Sequence, residues 1–240
     1  MEFGIQMYSL RDITKDDLEG ALKKVAQQGY KLIEFAGFFG HSAEEVKGML
    51  DKYGLKVSGT HSSLQDLVDN YEETVAYHKA LGNKEYIIPH WDFSTKEKAD
   101  DFVKYVNEIQ PKLKEEGIRL SYHNHSHEFR DDCGFLPYDI ITKETSINLE
   151  IDTFWAYAAG KDPVALMEEY KDRLTFIHIK DGFADGKGMP LGKGTAPVPA
   201  VFEKAKAMGI PMVVESETLT PSGEEEARIC IECLKELEKR

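Results

Sequence analysis

Ten residues near the middle of the chain, LSYHNHSHEF at positions 120–129, set His123, His125, His127 and Glu128 directly behind an apolar run that ends at Tyr122. Imidazoles and a carboxylate at this density bind a divalent cation or move protons near neutral pH. Polar residues close the other apolar runs as well. They are Gln6, Tyr8, Ser9 and Arg11; Glu34; His61; His90 and Trp91; Glu150 and Asp152; His178, Lys180 and Asp181; and Glu215, Ser216 and Glu217. Any one of them alone is an ordinary capping or loop residue. Converging on one small mouth, they would each carry a desolvation cost of several kcal/mol. A bound cation offsets that cost, because it accepts carboxylate oxygens and neutral imidazole nitrogens together. Such a mixed set suits manganese, zinc, cobalt or iron better than calcium.

The elements that must position these residues repeat eight times. Strand candidates are FGIQMY (3–8), KLIEFA (31–36), KVSGT (56–60), EYIIP (85–89), IRLSY (118–122), INLEI (147–151), LTFIHI (174–179) and PMVVE (211–215). Amphipathic helical patterns separate them at 15–28, 42–53, 66–82, 95–116, 137–144, 163–171, 197–208 and 222–239. Thr14 and Ser42 fit as N-caps, Pro163 as a first helical residue, and Gly29, Gly54, Gly117 and Gly209 as residues that stop helices. Eight strand–helix units with right-handed crossovers close into a (β/α)8 barrel, expected as a single domain over residues 1–240. The first strand–helix turn carries no GxGxxG, which leaves a doubly wound dinucleotide fold without support.

Composition excludes other classes. With 30 Lys+Arg against 43 Asp+Glu the formal charge is −13, the wrong sign for a phosphate-backbone partner. No stretch approaches the roughly 18 apolar residues of a membrane span, and the MEFGIQMYSLRD start has no basic leader pattern, so a cytoplasmic location without membrane or nucleic-acid partners is expected. Cys230 and Cys233 form a CxxC inside the helical pattern ARICIECLKELEKR and read as structural thiols.

Asp152 in LEIDTFWAYAAGKDP, His178 in FIHIKD and Glu215 in MVVESE give the chain a pattern that resembles the xylose-isomerase-like barrels of sugar isomerases, epimerases and inosose dehydratases. The PLGKGTAP segment also looks like that family's loop after the seventh strand. The resemblance implies a TIM barrel with one divalent ion (Mn, Zn, Co, Fe or Mg) held by Asp152, His178, Glu215 and a strand-5 residue. At that fifth strand the chain departs from the family's glutamate: His123 stands there, and Glu128 follows five residues later. Glu128 is preferred as the ligand if the turn folds back, with His123 the alternative.

The implied chemistry is proton abstraction next to a carbonyl of a sugar, keto-sugar or cyclitol. The resemblance makes Glu215 both ligand and base, with His123 or His125 as the opposing acid or base. Lys180, two residues beyond His178 and on the same side of an ideal strand, is placed to polarise a substrate oxygen or else to pair with Asp152 or Asp181. Glu34, His61, His90, Trp91 and Trp155 are expected to line the pocket. The HNH turn looks more like that of inosose dehydratases and keto-sugar enzymes than that of ketose 3-epimerases, which keeps a lyase reading beside the isomerase one. A non-catalytic carbohydrate-binding barrel is the alternative of another class. Abasic-site endonucleases share the barrel, but the acidic charge weighs against them. A homo-oligomer is compatible with this reading.

Overall fold

The computed structural model describes residues 1–240. Eight parallel strands close a barrel: β1 (Gly4–Gln6), β2 (Leu32–Phe35), β3 (Lys56–His61), β4 (Glu85–Ile88), β5 (Arg119–His123), β6 (Asn148–Asp152), β7 (Leu174–Ile179) and β8 (Met212–Val214). Each pairs with its neighbours in sequence, and β1 pairs with β8 to close the ring. Every expected strand is present, with ends that agree to within two residues. Ile33, Phe35, Tyr86, Ile88, Leu120, Tyr122, Leu149 and Ile151 are buried together with helix residues such as Leu22, Val46, Phe102 and Phe202 in one apolar cluster. Both faces of the strands are covered, which is why each reads as a short, nearly continuous apolar run.

Several helix boundaries differ from the sequence expectation. Thr14 ends a short helix, Arg11–Thr14, and Asp17 instead caps Leu18–Gln28 by accepting the Gly20 N–H at 2.7 Å. The pattern at 66–82 divides into Leu64–Asp69 and Tyr71–Leu81 around Asn70, which leaves the helical region at φ −139°. A helix absent from the sequence reading, Thr153–Ala158, starts at the end of β6 with Asp152 as its cap. Ser42 does form a reciprocal capping box with Glu45. The last helix runs Gly223–Glu238 and buries Cys230; all three cysteines are free thiols.

Two irregularities in the barrel bear on the site. The β2–β3 register shifts between Ile33 and Glu34, and the β6–β7 register between Leu149 and Glu150, so that each partner strand carries one extra residue at that point. Bulges of this kind re-aim side chains. Here they coincide with the two carboxylates that enter the barrel's interior. Gly59 on β3 leaves the space they need, since a Cβ there would sit 2.6 Å from Ile87 Cδ1 and 3.5 Å from Glu34 Oε2.

Candidate metal centre and barrel mouth

Four side chains from the C-terminal ends of β5, β6, β7 and the residue after β8 converge: His123, Asp152, His178 and Glu215, all buried, each offering one donor atom within 4.8 Å of the others. His123 Nε2 lies 3.5 Å from Asp152 Oδ2, and His178 Nδ1 lies 3.9 Å from Asp152 Oδ2 and 3.3 Å from Glu215 Oε2. Asp152 Oδ1 is committed to its helix cap, accepting the Trp155 N–H at 2.8 Å, which leaves Oδ2 directed at the cluster. Both His123 nitrogens, His178 Nδ1 and Asp152 Oδ2 are buried without a hydrogen-bond partner in the protein. Buried polar atoms are rarely left so, and a divalent ion is one partner that would satisfy these four together. Burial, followed by the charges of His178 and His61, holds His123 well below the ordinary histidine range, so its imidazole is neutral and able to bind a cation. The donor set therefore fits a divalent ion.

A second layer lies beneath. Glu34 Oε1 accepts from Gln6 Nε2 at 2.7 Å and sits 2.7 Å from His178 Nε2 and 3.0 Å from His61 Nε2. Glu150 Oε2 is 2.9 Å from His61 Nε2 and 3.3 Å from His178 Nε2. Two imidazoles and two carboxylates thus alternate in a closed ring. Burial alone would raise the Glu34 carboxyl, but the charges of His178 and His61 outweigh it and hold the group well below its usual range. Glu150 goes the other way, pushed up to about 8 by burial and by the Glu34 charge beside it. The same ring thus pushes its two carboxyls in opposite directions.

Lys180 is 1% exposed, with Nζ 2.6 Å from Glu217 Oε2, 3.0 Å from Glu215 Oε2 and 3.6 Å from Asp152 Oδ2. Its ammonium lies 4.9 Å from the centre of the Trp155 ring. Asp181 takes no part in this. Its carboxylate accepts backbone N–H groups from Gly182 at 2.8 Å, Gly192 and Gly194 at 2.9 Å each, and Ala196 at 3.2 Å. That arrangement ties down the loop containing PLGKGTAP.

The strand-5 turn resolves differently from the preferred sequence reading. Glu128 does not fold back to Asp152, His178 and Glu215; it lies in the short helical turn His127–Phe129 and groups with His125 and His127. Its Oε1 accepts the Tyr122 hydroxyl at 2.9 Å and its Oε2 the His125 N–H at 2.8 Å. Both oxygens are claimed by neighbours on the same turn, and His123 fills the fourth position instead. His125 stands beside it, its ring centre 4.9 Å from that of His123 and 6.0 Å from that of Trp155.

Above the donors opens a cavity of about 380 Å³ whose walls include His61, His90, His123, His125, Glu215 and Glu217, with Tyr8, Ala36 and Pro89. His61 and His90 are where the pocket expectation puts them. Glu34 is not on the wall, being fully buried in the layer below, and Trp91 faces an adjoining cavity. Glu150, Gln6, Glu217 and Tyr8 have functional positions the sequence reading gave no role. Period-two alternation was the available signal for Glu150, which shares a face of β6 with Asp152.

A family model described as the xylose isomerase-like TIM barrel matches residues 22–237. Inosose dehydratase from Geobacillus kaustophilus is 23% identical over 186 residues, a match covering 67% of this chain and 60% of that protein. Inosose dehydratase from Clostridium beijerinckii is 24% identical, covering 72% of this chain and 67% of its own length. The chain thus spans about 60% of the first relative's length. Among solved structures, a sugar phosphate isomerase/epimerase from Parabacteroides distasonis superposes with a TM-score of 0.82 at 26% identity, covering 96% of each chain. An L-ribulose 3-epimerase, with a TM-score of 0.73 at 16% identity over 100% of this chain and 96% of that one, shares the fold.

Proposed function

The chain belongs to the xylose isomerase-like TIM barrel family, and we propose that it is a divalent-metal enzyme that abstracts a proton next to a carbonyl of a sugar, keto-sugar or cyclitol. The observation that carries this reading is the cluster of four buried donors, three of which, His123, Asp152 and His178, turn atoms toward it that have no hydrogen-bond partner in the protein. His123, Asp152, His178 and Glu215 would hold the ion. Two imidazoles among the four favour manganese, cobalt, zinc or iron over magnesium. When bound, the ion supplies Lewis-acid stabilisation of negative charge that develops on a substrate oxygen.

The chain's own residues supply the rest. Glu215 stands at the cavity wall with its Oε2 3.0 Å from Lys180 and 3.3 Å from His178, placed to take a proton from a carbon above it. His125 occupies the cavity wall beside His123, where it serves as the opposing acid or base. Lys180 holds Glu215 and Glu217 in position and offers its remaining hydrogen-bonding capacity to a substrate oxygen. The Trp155 ring next to it fixes the direction of the ammonium.

The substrate is uncharged. Lys180 is neutralised by Glu215 and Glu217, and the Arg11 guanidinium donates to the Tyr8 and Glu217 carbonyls, so neither side chain is free to receive a phosphate. Isomerisation or epimerisation follows if the proton returns to carbon. Dehydration follows if the acid on the far side releases a hydroxyl instead, and the matched inosose dehydratases favour this second outcome. Both begin with one step, which a single experiment reads. Metal-loaded protein is incubated with keto-sugars and inososes in deuterated water and followed by NMR. Deuterium incorporation that requires the metal is expected; no incorporation with manganese, cobalt, zinc or iron would sink the reading.

A further inference from the structure

Beside the mouth lies a second cavity of about 210 Å³, and His90 lines both. His127 stands at the partition, its ring centre 5.3 Å from that of His90. Trp91, Ser94, Arg130 and Asp132 line the second cavity. We propose that this cleft is a subsite for a second ring, so that the substrate is a glycoside or disaccharide whose reacting ring occupies the mouth and whose other ring lies against Trp91. The inference rests on the reading of the mouth as a sugar site.

The cleft is built, and its parts are held before any ligand arrives. Trp91 cannot swing, since Nε1 donates to the Lys98 carbonyl at 2.8 Å and the ring packs against Phe102 and Tyr105 at centroid distances of 5.8 and 6.1 Å. The turn that carries it is clamped by Asp92, which accepts the Ser94 N–H at 2.9 Å and faces Lys98 Nζ at 2.5 Å. Arg130 Nε lies 3.3 Å from Asp132 Oδ2, and both side chains are more than half exposed. An indole and a guanidinium–carboxylate pair lining one cleft match the two kinds of surface on a pyranose, apolar C–H faces and a belt of hydroxyls that both donate and accept. Opposite charges side by side also disfavour a free anion. The mouth alone, at about 380 Å³, is near the small end of the ligand-pocket range of roughly 300–1,000 Å³, and the cleft extends it in one direction. A third cavity shares His61 with the mouth on the other flank, but Asp66 and Glu73 make its wall acidic, and it has no indole.

Calorimetry with non-reacting probes tests the subsite independently of turnover. The metal-loaded protein is titrated with methyl β-glucoside, cellobiose and phenyl β-glucoside, and with the corresponding galactosides and xylosides. At least one two-ring probe is expected to bind about tenfold more tightly than its methyl glycoside. Arg130→Ala, an exposed change that spares the core, is expected to remove most of that advantage, as is Trp91→Phe, with the methyl glycoside's Kd unchanged. Asn70→Ala on the opposite flank should leave the advantage intact. Equal binding of one-ring and two-ring probes overturns the subsite while the mouth reading stands, and so does loss of the advantage in Asn70→Ala but not in Arg130→Ala. If no probe of either size binds and no keto-sugar or inosose exchanges deuterium, both readings fall together.

Discussion

Glu34 Oε1 lies 2.7 Å from His178 Nε2, and this contact across the barrel leaves His178 Nδ1 turned toward Glu215 and Asp152. The carboxylate fixes the ring's orientation and, by accepting from Nε2, leaves Nδ1 as the atom that would donate to an ion once the ring gives up its second proton. Glu34 is thus a positioning residue for a metal donor it is not part of. Glu34→Gln, which keeps the shape but removes the charge, is expected to weaken manganese or cobalt binding by about 10- to 100-fold in a calorimetric titration. Unchanged affinity in a folded variant would show that His178 is held without it.

The strand-5 choice is decided by a pair of substitutions. His123→Gln is expected to abolish stoichiometric metal in protein passed through a desalting column, while Glu128→Gln keeps its metal. The second variant loses stability instead, by about 1–3 kcal/mol in urea unfolding, because an amide nitrogen replaces an acceptor that now serves Tyr122 or His125. Retained metal in His123→Gln together with lost metal in Glu128→Gln would reverse the assignment.

Chelation supplies a test free of mutagenesis. An ion that binds only the folded chain stabilises it by about 2.7 kcal/mol at a concentration one hundred times its Kd. Melting temperature is expected to rise with added manganese or cobalt and fall with excess chelator, and Asp152→Asn should blunt the response. Indifference of the wild type to both additions counts against a metal at this place.

His78, remote from the donors, gives an acid-sensitive element. Burial pushes it down to about 4; its Nδ1 faces Asn83 Nδ2 at 3.1 Å and Thr60 Oγ1 at 3.4 Å. Because the folded state disfavours the protonated ring, the contribution is complete above pH 6.5, the ordinary value, and is lost as pH falls toward 4. The full window is worth about 3 kcal/mol. In chelator-containing buffer the stability gap between wild type and His78→Gln is expected to narrow between pH 7 and pH 4; a constant gap would remove His78 from the acid response.

The barrel is legible in the sequence because strands buried on both faces cannot hide: each appears as a short apolar run with a polar residue at its end. Asp152, His178 and Glu215, which the family resemblance implied as ligands, come together because a strand fixes direction as well as position. The fourth donor is not legible. After Tyr122 the chain leaves the sheet, and its path is set by Glu128 bonding to the Tyr122 hydroxyl and the His125 N–H, contacts that spacing does not encode. The same limit explains the unexpected helix at Thr153–Ala158, where Asp152 caps with one oxygen and faces the cluster with the other. Glu34 misleads for a further reason. Its strand-end position suits a pocket wall, but the side chain is fully buried in the layer below, where it meets Gln6, His61 and His178.

Asp181, which gathers four backbone N–H groups from the stretch between β7 and the following helix, separates the path of that loop from the identity of its side chains. The loop's course is anchored through backbone amides, three of them from glycines that cannot readily be replaced: a Cβ would collide with Phe154 and the Lys187 carbonyl at Gly182 and with Asp181 at Gly194, and Gly192 stands at φ +79°. An exposed side chain such as Lys187 can therefore change without releasing that anchorage. One buried carboxylate thus sets the course of the chain after Lys180 through main-chain contacts alone.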